Sequence, residues 1–134
     1  MNKLIPIILL SLTACQPIDD TFDDTDDFIR VNEFYWSTFG NVKPYPFTTQ
    51  FGDIACSMNE VSFFPDDTAN DESQVGLPLN KLAQKRQNES GIKSTVKNAI
   101  KPNADLSEAI RMGLDRCEQT KARLDKFRSE SGIN

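Results

Sequence analysis

The side chains of this sequence that could do chemistry are three cysteines (Cys15, Cys56 and Cys117) and 20 acidic residues, and the chain has no histidine. The missing histidine removes the commonest general base and the commonest transition-metal ligand. A pair of carboxylates for glycoside cleavage stays open, because such a pair is defined by its separation in space. From these residue types we predict no catalytic residue, no metal site and no cofactor.

The first 14 residues have the build of a secretory signal peptide. Lys3 supplies one positive charge, and a run of about nine mostly apolar residues follows it and leads to the small residues before Cys15. This run is shorter than the roughly 20 residues that a permanent transmembrane helix needs. We therefore predict that residues 1–14 are removed.

The end of this leader, Leu12-Thr13-Ala14-Cys15, resembles the lipobox of bacterial lipoproteins. The resemblance implies cleavage before Cys15, lipidation of its thiol by a diacylglycerol and acylation of its new amino group. In that class, Asp after the cysteine retains the protein in the inner membrane. Here Gln16 follows, which implies an outer-membrane anchor. We expect the domain to face the periplasm, with the cell exterior as the alternative. An ordinary secretory leader with a chance cysteine is the alternative interpretation.

Export also predicts a disulfide between the two remaining cysteines, Cys56 and Cys117. An even number of cysteines in an oxidising compartment usually pairs. The bond would close a loop of about 60 residues and stabilise the fold by about 4 kcal/mol in the chain-entropy description. A free catalytic thiol is the alternative, but the chain offers no histidine to activate it.

Charge is distributed unevenly along the chain. Residues 15–72 contain 13 acidic and two basic residues, whereas residues 73–134 contain seven acidic and 12 basic residues. The net charge of −5 argues against nucleic-acid binding, since such domains are normally basic. We predict that residues 15–27, with six aspartates, form an acidic tether to a single globular domain at 28–129, and that 130–134 are a disordered tail. An acidic docking strip is the alternative for the tether, whereas a calcium loop is rejected because the spacing of its residues does not fit that motif.

The apolar pattern predicts a mainly α fold: a small disulfide-braced bundle of three to four helices with a possible short β-hairpin. Residues 28–39 are predicted to be the first helix, because four of their apolar residues fall on one helical stripe. These four are Phe28, Val31, Tyr35 and Phe39. Residues 47–51 and 60–64 have strand-like composition and could form the hairpin. A helical turn over residues 53–59 is the alternative.

Three further helical patterns follow in the basic half of the chain. Residues 78–89 read as a helix, and residues 92–100 carry a second, shorter apolar stripe. The third and clearest pattern predicts a helix over residues 106–129, where Asp105 followed by Glu108 resembles a capping box. The spacing of its apolar face alternates between four and three, through Leu106, Ile110, Gly113, Cys117, Thr120, Leu124 and Phe127.

Nine of the 12 aromatic residues lie between positions 34 and 64. Filling a small core would account for most of them. Phe34, Tyr35 and Trp36 are consecutive, however, and three successive helical residues cannot all face one core. We therefore predict that this run includes partner-binding residues, with Trp36 as the first candidate, because Trp and Tyr are enriched at binding hot spots.

These features predict a lipid-anchored envelope lipoprotein that acts as a non-catalytic protein-binding or assembly factor. It would contact the membrane through its anchor, and another envelope protein through its domain. In size, anchor and single disulfide it is similar to the small helical pilotins of secretion pores, which is a resemblance of architecture alone. The alternatives are an inhibitor or immunity-type lipoprotein that neutralises an enzyme or toxin, a carboxylate-dependent envelope hydrolase, and a structural lipoprotein on peptidoglycan.

Overall fold

The computed structural model describes residues 28–132 as one antiparallel sheet with two helices. The elements are β1 (Phe28–Asn32), β2 (Phe51–Ser57), β3 (Glu60–Pro65), β4 (Leu77–Pro78), α1 (Lys81–Ser90) and α2 (Ser107–Ser131). Each strand pairs with the next one in sequence, so the sheet order is β1-β2-β3-β4. The predicted bundle of three to four helices is therefore wrong.

The first error falls on residues 28–39, which were predicted to be helical. Their first part is the edge strand β1, in which Phe28 lies opposite Ala55 and Val31 lies opposite Gly52. The second part contains only a 3₁₀ turn, Trp36–Phe39, closed by Gly40 at a positive φ. Apolar residues spaced i and i+3 fit a helical pattern, but the same residues can form a strand when pairing with another strand stabilises it. Here the pairing strand is β2, which lies about 20 residues away in sequence, so no local pattern reveals it.

A hairpin is present, but its first strand is β2 rather than residues 47–51. The helical turn considered around Cys56 is absent, since Cys56 lies within β2 and opposite Val61 of β3. The connecting residues Met58 and Asn59 have φ values of 51° and 68°. Two successive positive φ values are typical of a type I′ turn, whose twist matches that of the flanking strands.

The core lies between one face of the sheet and helix α2. Ile54 of β2 and Val61 and Phe63 of β3 point toward the helix and are fully buried. Gly113 lets α2 approach the sheet closely, because a Cβ atom there would come within 2.6 Å of Val61 Cγ1. Phe47, from the long loop before β2, stacks on Phe63 with ring centroids 3.6 Å apart.

Two of the three helical predictions in the basic half are correct in type. Helix α1 begins after Asn80, whose side chain accepts a hydrogen bond from the backbone N–H of Ala83, and it ends at Gly91. Helix α2 extends to Ser131, two residues beyond the predicted end. The helix predicted over residues 92–100 is wrong. This stretch lies against the long loop instead, where Ile100 forms a β-bridge with Phe47.

The disulfide between Cys56 and Cys117 is confirmed, with its Cα atoms 5.6 Å apart. It joins β2 to the middle of α2, as the apolar stripe of that helix suggested. The predicted signal peptide, the lipidated Cys15 and the acidic tether all lie outside the described residues. Within residues 28–132, no helix has the length and apolar character needed to cross a membrane.

Candidate functional site

The loop that joins β1 to β2 carries the aromatic run singled out as a contact surface. Phe34 and Tyr35 are 79% and 61% exposed, and Val42 in the same loop is 87% exposed. Trp36 is only 4% exposed, which corrects the expectation that Trp36 is the first contact residue. The prediction assumed a helix, in which Trp36 would leave the core; the turn after Tyr35 directs its ring inward instead.

Trp36 serves as the internal anchor of this loop. Its indole Nε1–H donates a hydrogen bond to the carbonyl of Lys43 at 3.0 Å, which closes the loop on itself. Its ring meets the edge of Tyr45, with centroids 5.5 Å apart. Asn41 is also buried, and its Nδ2 donates to the carbonyl of Trp36 at 3.2 Å. The loop tip is thus held from inside by one ring and one amide.

The first turns of α2 hold the same loop from outside. The Glu108 carboxylate accepts hydrogen bonds from the backbone N–H groups of Val42 and Lys43, at 2.7 Å and 3.1 Å. One turn later, Arg111 Nη2 donates to Oδ1 of Asn41 at 2.7 Å. Glu108 therefore does not act as the predicted capping-box residue. Its oxygens accept the hydrogen bonds of two loop amides that have no other acceptor given by residues 28–132.

An exposed ion pair completes this attachment. Lys43 Nζ donates to Asp105 Oδ2 at 2.7 Å, while Asp105 Oδ1 accepts from the backbone and hydroxyl of Ser107. These hydrogen bonds, first the one from Lys43 and then those from Ser107, hold the pKa of Asp105 well below its usual range. The same contact raises the pKa of Lys43. Both charges persist at neutral pH, so the pair orients the loop.

A second surface lies at the other end of the sheet. There the hairpin turn, the start of α1 and the middle of α2 enclose an open groove of about 570 Å³. Asn80 ties the turn to α1, because its Nδ2 donates to the carbonyl of Asn59 at 2.9 Å and its Oδ1 accepts from the N–H of Val61. The groove is lined by Asn59, Asn80, Leu82, Leu114, Cys117, Glu118 and Lys121.

Sequence reasoning missed this groove because its residues come from three distant segments. Leu82 and Leu114 read as ordinary members of amphipathic helices, and only the tertiary fold places them on one surface. The available signal was the continuation of the α2 apolar stripe beyond Cys117, to Leu124 and Phe127. In the structure both of these side chains are exposed.

The most buried charged group has a structural role. Asp53, on the sheet face opposite α2, accepts two hydrogen bonds from Arg30, from Nε and Nη2, both at 3.1 Å. Arg30 also reaches Asp67 and lies over the Phe51 ring, 4.9 Å from its centroid. This bidentate pair occupies the Asp53 carboxylate and leaves it no role as a free acid or base.

The described residues thus offer two exposed apolar surfaces, one at each end of the sheet. Within residues 28–132, no three His, Cys, Asp or Glu side chains come together in a way that could hold a metal ion. Compared with protein-family models, with curated proteins and with solved structures, the chain finds no match.

Proposed function

We propose that this chain is a lipid-anchored envelope lipoprotein that binds another protein non-catalytically, through the loop residues Phe34, Tyr35 and Val42. The observation that carries the proposal is a loop held rigidly on both sides while its apolar tip faces solvent. Preorganised loops lose less conformational entropy on binding. Exposed Phe and Tyr side chains on such a loop have the composition of binding hot spots.

The charged groups around this loop support binding rather than catalysis. The carboxylate of Glu108 is held by two backbone N–H groups, and that of Asp105 is held by Lys43 and Ser107. A general acid at neutral pH needs a raised carboxyl pKa, whereas the pKa of Asp105 is lowered. Both carboxylates thus act as supports of the loop.

The membrane part of the proposal rests on the leader alone. The segment from Leu12 to Gln16 is the part that resembles a lipobox and its sorting residue. If Cys15 carries the lipid, Cys15→Ser leaves an unprocessed or soluble precursor. Membrane fractionation and mass spectrometry of the amino terminus measure this directly. A Cys15→Ser protein that still fractionates as a mature membrane protein would contradict the anchor.

The binding part is tested by photocrosslinking in cells, with a photoreactive amino acid at Phe34 or at Tyr35. Ile92 is the matched control, because it is apolar and exposed but lies outside the loop. We expect one defined protein adduct from positions 34 and 35 and none from position 92. Identification of the adduct separates an assembly component from an enzyme or toxin, which the inhibitor alternative would require.

The same adduct supplies a quantitative check. Tyr35→Ala removes an exposed ring that supports nothing inside the domain, so we expect the variant to fold normally and to lose roughly tenfold or more in affinity for the identified protein. The fold is checked by circular dichroism and thermal unfolding. Equal adducts from positions 34, 35 and 92, or no adduct at all, would overturn the proposed binding surface.

A further inference from the structure

The C-terminal part of α2 continues past the body of the domain. Residues 121–131 are all exposed, and among the described residues their hydrogen bonds and ion pairs join them only to other residues of α2. We name residues 121–131 the overhang. At 1.5 Å per residue it reaches about 20 Å beyond Cys117.

The overhang keeps the apolar stripe that packs on the sheet earlier in the helix. Leu124 and Phe127 follow Gly113, Cys117 and Thr120 in the same alternation of four and three. They are 46% and 63% exposed. A strict four-three repeat is the pattern by which one helix packs along another. Leu124 and Phe127 therefore form a helix-binding seam that residues 28–132 leave exposed.

The overhang has little stability of its own. Its ion pairs include Lys121–Asp125 at 3.0 Å and Lys126–Glu130 at 3.9 Å. In both, the base precedes the acid, which is the less favourable order along a helix. A helical segment of this length is marginal in water without tertiary contacts. Packing against another helix would supply those contacts.

Charge on both sides of the seam indicates the character of that helix. Lys121 and Arg128, which also contact Asp125 of α2 at 3.0 Å and 3.8 Å, flank it on one side. Arg123 and Glu130 flank it on the other. A parallel second copy would place Arg123 opposite Arg128, and an antiparallel copy would place Lys121 opposite Arg128. A helix with acidic flanks would instead place its carboxylates opposite basic side chains at three of the four flanking positions.

The groove extends this seam toward the hairpin turn. Leu114 and Lys121 line it from α2, and Leu82 lines it from α1. Beside it, Met58 is 78% exposed and holds a positive φ that usually favours Asn or Gly. The type I′ turn imposes this conformation and leaves the Met58 side chain exposed next to the groove.

We infer that the overhang and the adjoining groove receive an acidic amphipathic helix of a separate protein. Leu124, Phe127 and Leu114 would contact its apolar stripe, and Lys121, Arg123 and Arg128 would pair with its acidic flanks. The inference does not depend on the loop surface, because the two surfaces share no residue.

The test uses the full chain with its disulfide oxidised and two synthetic heptad peptides of 21 residues. One peptide has Leu at the core positions and Glu at the flanking positions; the other has Lys at the flanking positions. We expect fluorescence anisotropy to show the acidic peptide binding at least tenfold more tightly than the basic one. Raising the salt concentration should narrow this difference.

Matched variants localise the binding to the seam. Leu124→Ser combined with Phe127→Ser changes only exposed side chains, and we expect it to weaken the acidic peptide at least tenfold. Ala122→Ser combined with Ser129→Ala lies on the opposite helix face and should leave its affinity unchanged. Arg123→Glu combined with Arg128→Glu should transfer the preference to the basic peptide. Circular dichroism verifies that each variant is folded.

Three results would overturn the inference. The first is equal affinity for the two peptides, or an affinity that the Leu124 and Phe127 substitutions do not change. The second is self-association through the same residues in analytical ultracentrifugation, which would assign the seam to a second copy. The third is acidic-peptide binding that appears only after the six aspartates of residues 16–27 are replaced by asparagine, which would assign the seam to that segment.

Discussion

The two ends of the sheet are held by different means. At the loop end, the segment before β2 is attached to α2 through charged and polar groups, chiefly Glu108 and Arg111. At the turn end, α2 is attached to β2 through the bond between Cys56 and Cys117. Hydrogen bonds can be lost locally, one at a time, whereas a disulfide constrains the whole unfolded chain.

The difference matches what each end presents to solvent. The loop end fixes a compact tip, in which Phe34 and Tyr35 are exposed and the ring of Trp36 is buried and hydrogen-bonded to Lys43. At the turn end, α2 continues past the sheet, and the exposed residues of this end lie along the overhang. A rigid tip suits a preformed contact, while an uncovered helix suits packing against another helix.

The largest expected effect comes from removing the disulfide. Cys56→Ala combined with Cys117→Ala should lower the free energy of unfolding by up to about 4 kcal/mol, because the unfolded chain regains the entropy of a long open loop. Urea unfolding monitored by tryptophan fluorescence measures the change. The wild-type protein with and without reductant provides the control.

Hydrogen exchange on the same variant sharpens the comparison between the ends. We expect amides of β2, and of α2 near position 117, to lose the most protection. The amides of Val42 and Lys43 should keep more of theirs, because Glu108 still accepts their hydrogen bonds. Equal loss of protection at both ends would show that they do not open independently.

A smaller effect is expected at the loop end from Glu108→Ala. The variant leaves two backbone N–H groups without their carboxylate, a loss of about 1–3 kcal/mol. Glu108→Gln keeps one acceptor oxygen and should lose less. Exchange should increase first at Val42 and Lys43, while the amides around Cys117 stay protected. An effect confined to the turn end would contradict the assignment of Glu108 to the loop.

The smallest effect at neutral pH is expected from Tyr45→Phe. The Tyr45 hydroxyl is buried without a hydrogen-bond partner among the described residues, so its removal should change stability by less than about 1 kcal/mol. Burial, with a smaller contribution from the charge of Glu33, raises the pKa of Tyr45 above its ordinary value of 10.0.

The pH dependence of this variant follows from the direction of that shift. Because the folded pKa is higher, the unfolded state releases the proton first as the pH rises above about 10. The wild-type protein should therefore lose stability between pH 10 and the higher folded pKa, and this part of the loss should be absent in Tyr45→Phe. Thermal unfolding across this pH range measures it; identical alkaline profiles would contradict the burial argument.

Local patterns predicted the longest helix best. The four-three stripe from Leu106 to Phe127 identified α2 to within two residues at each end, and residues 78–89 identified α1. Residues 28–39, which are as many as residues 78–89, and residues 92–100 were both misassigned as helices. At that length, spacings of three and four also fit an extended chain, and pairing with distant residues decided the outcome.

The candidate surfaces were also predictable only in part. Phe34 and Tyr35 were predicted as contact residues from their adjacency to Trp36, and both are exposed. Trp36 itself is buried, since its orientation depends on the carbonyl of Lys43 and the ring of Tyr45. The role of Glu108 in holding the loop joins residues more than 60 positions apart, which no local pattern encodes.

The sequence by itself determined the cysteine pairing and the long amphipathic helix, because cysteine count and apolar periodicity follow from residue order alone. Only the tertiary structure decided that residues 28–32 form an edge strand, that Trp36 faces inward and that α2 extends past the sheet. The physical reason is that these features depend on which distant surfaces bury each side chain. The free energy of burying these side chains is gained only when β2 and α2 pack together. Local preferences depend on neighbouring residues alone and cannot include it.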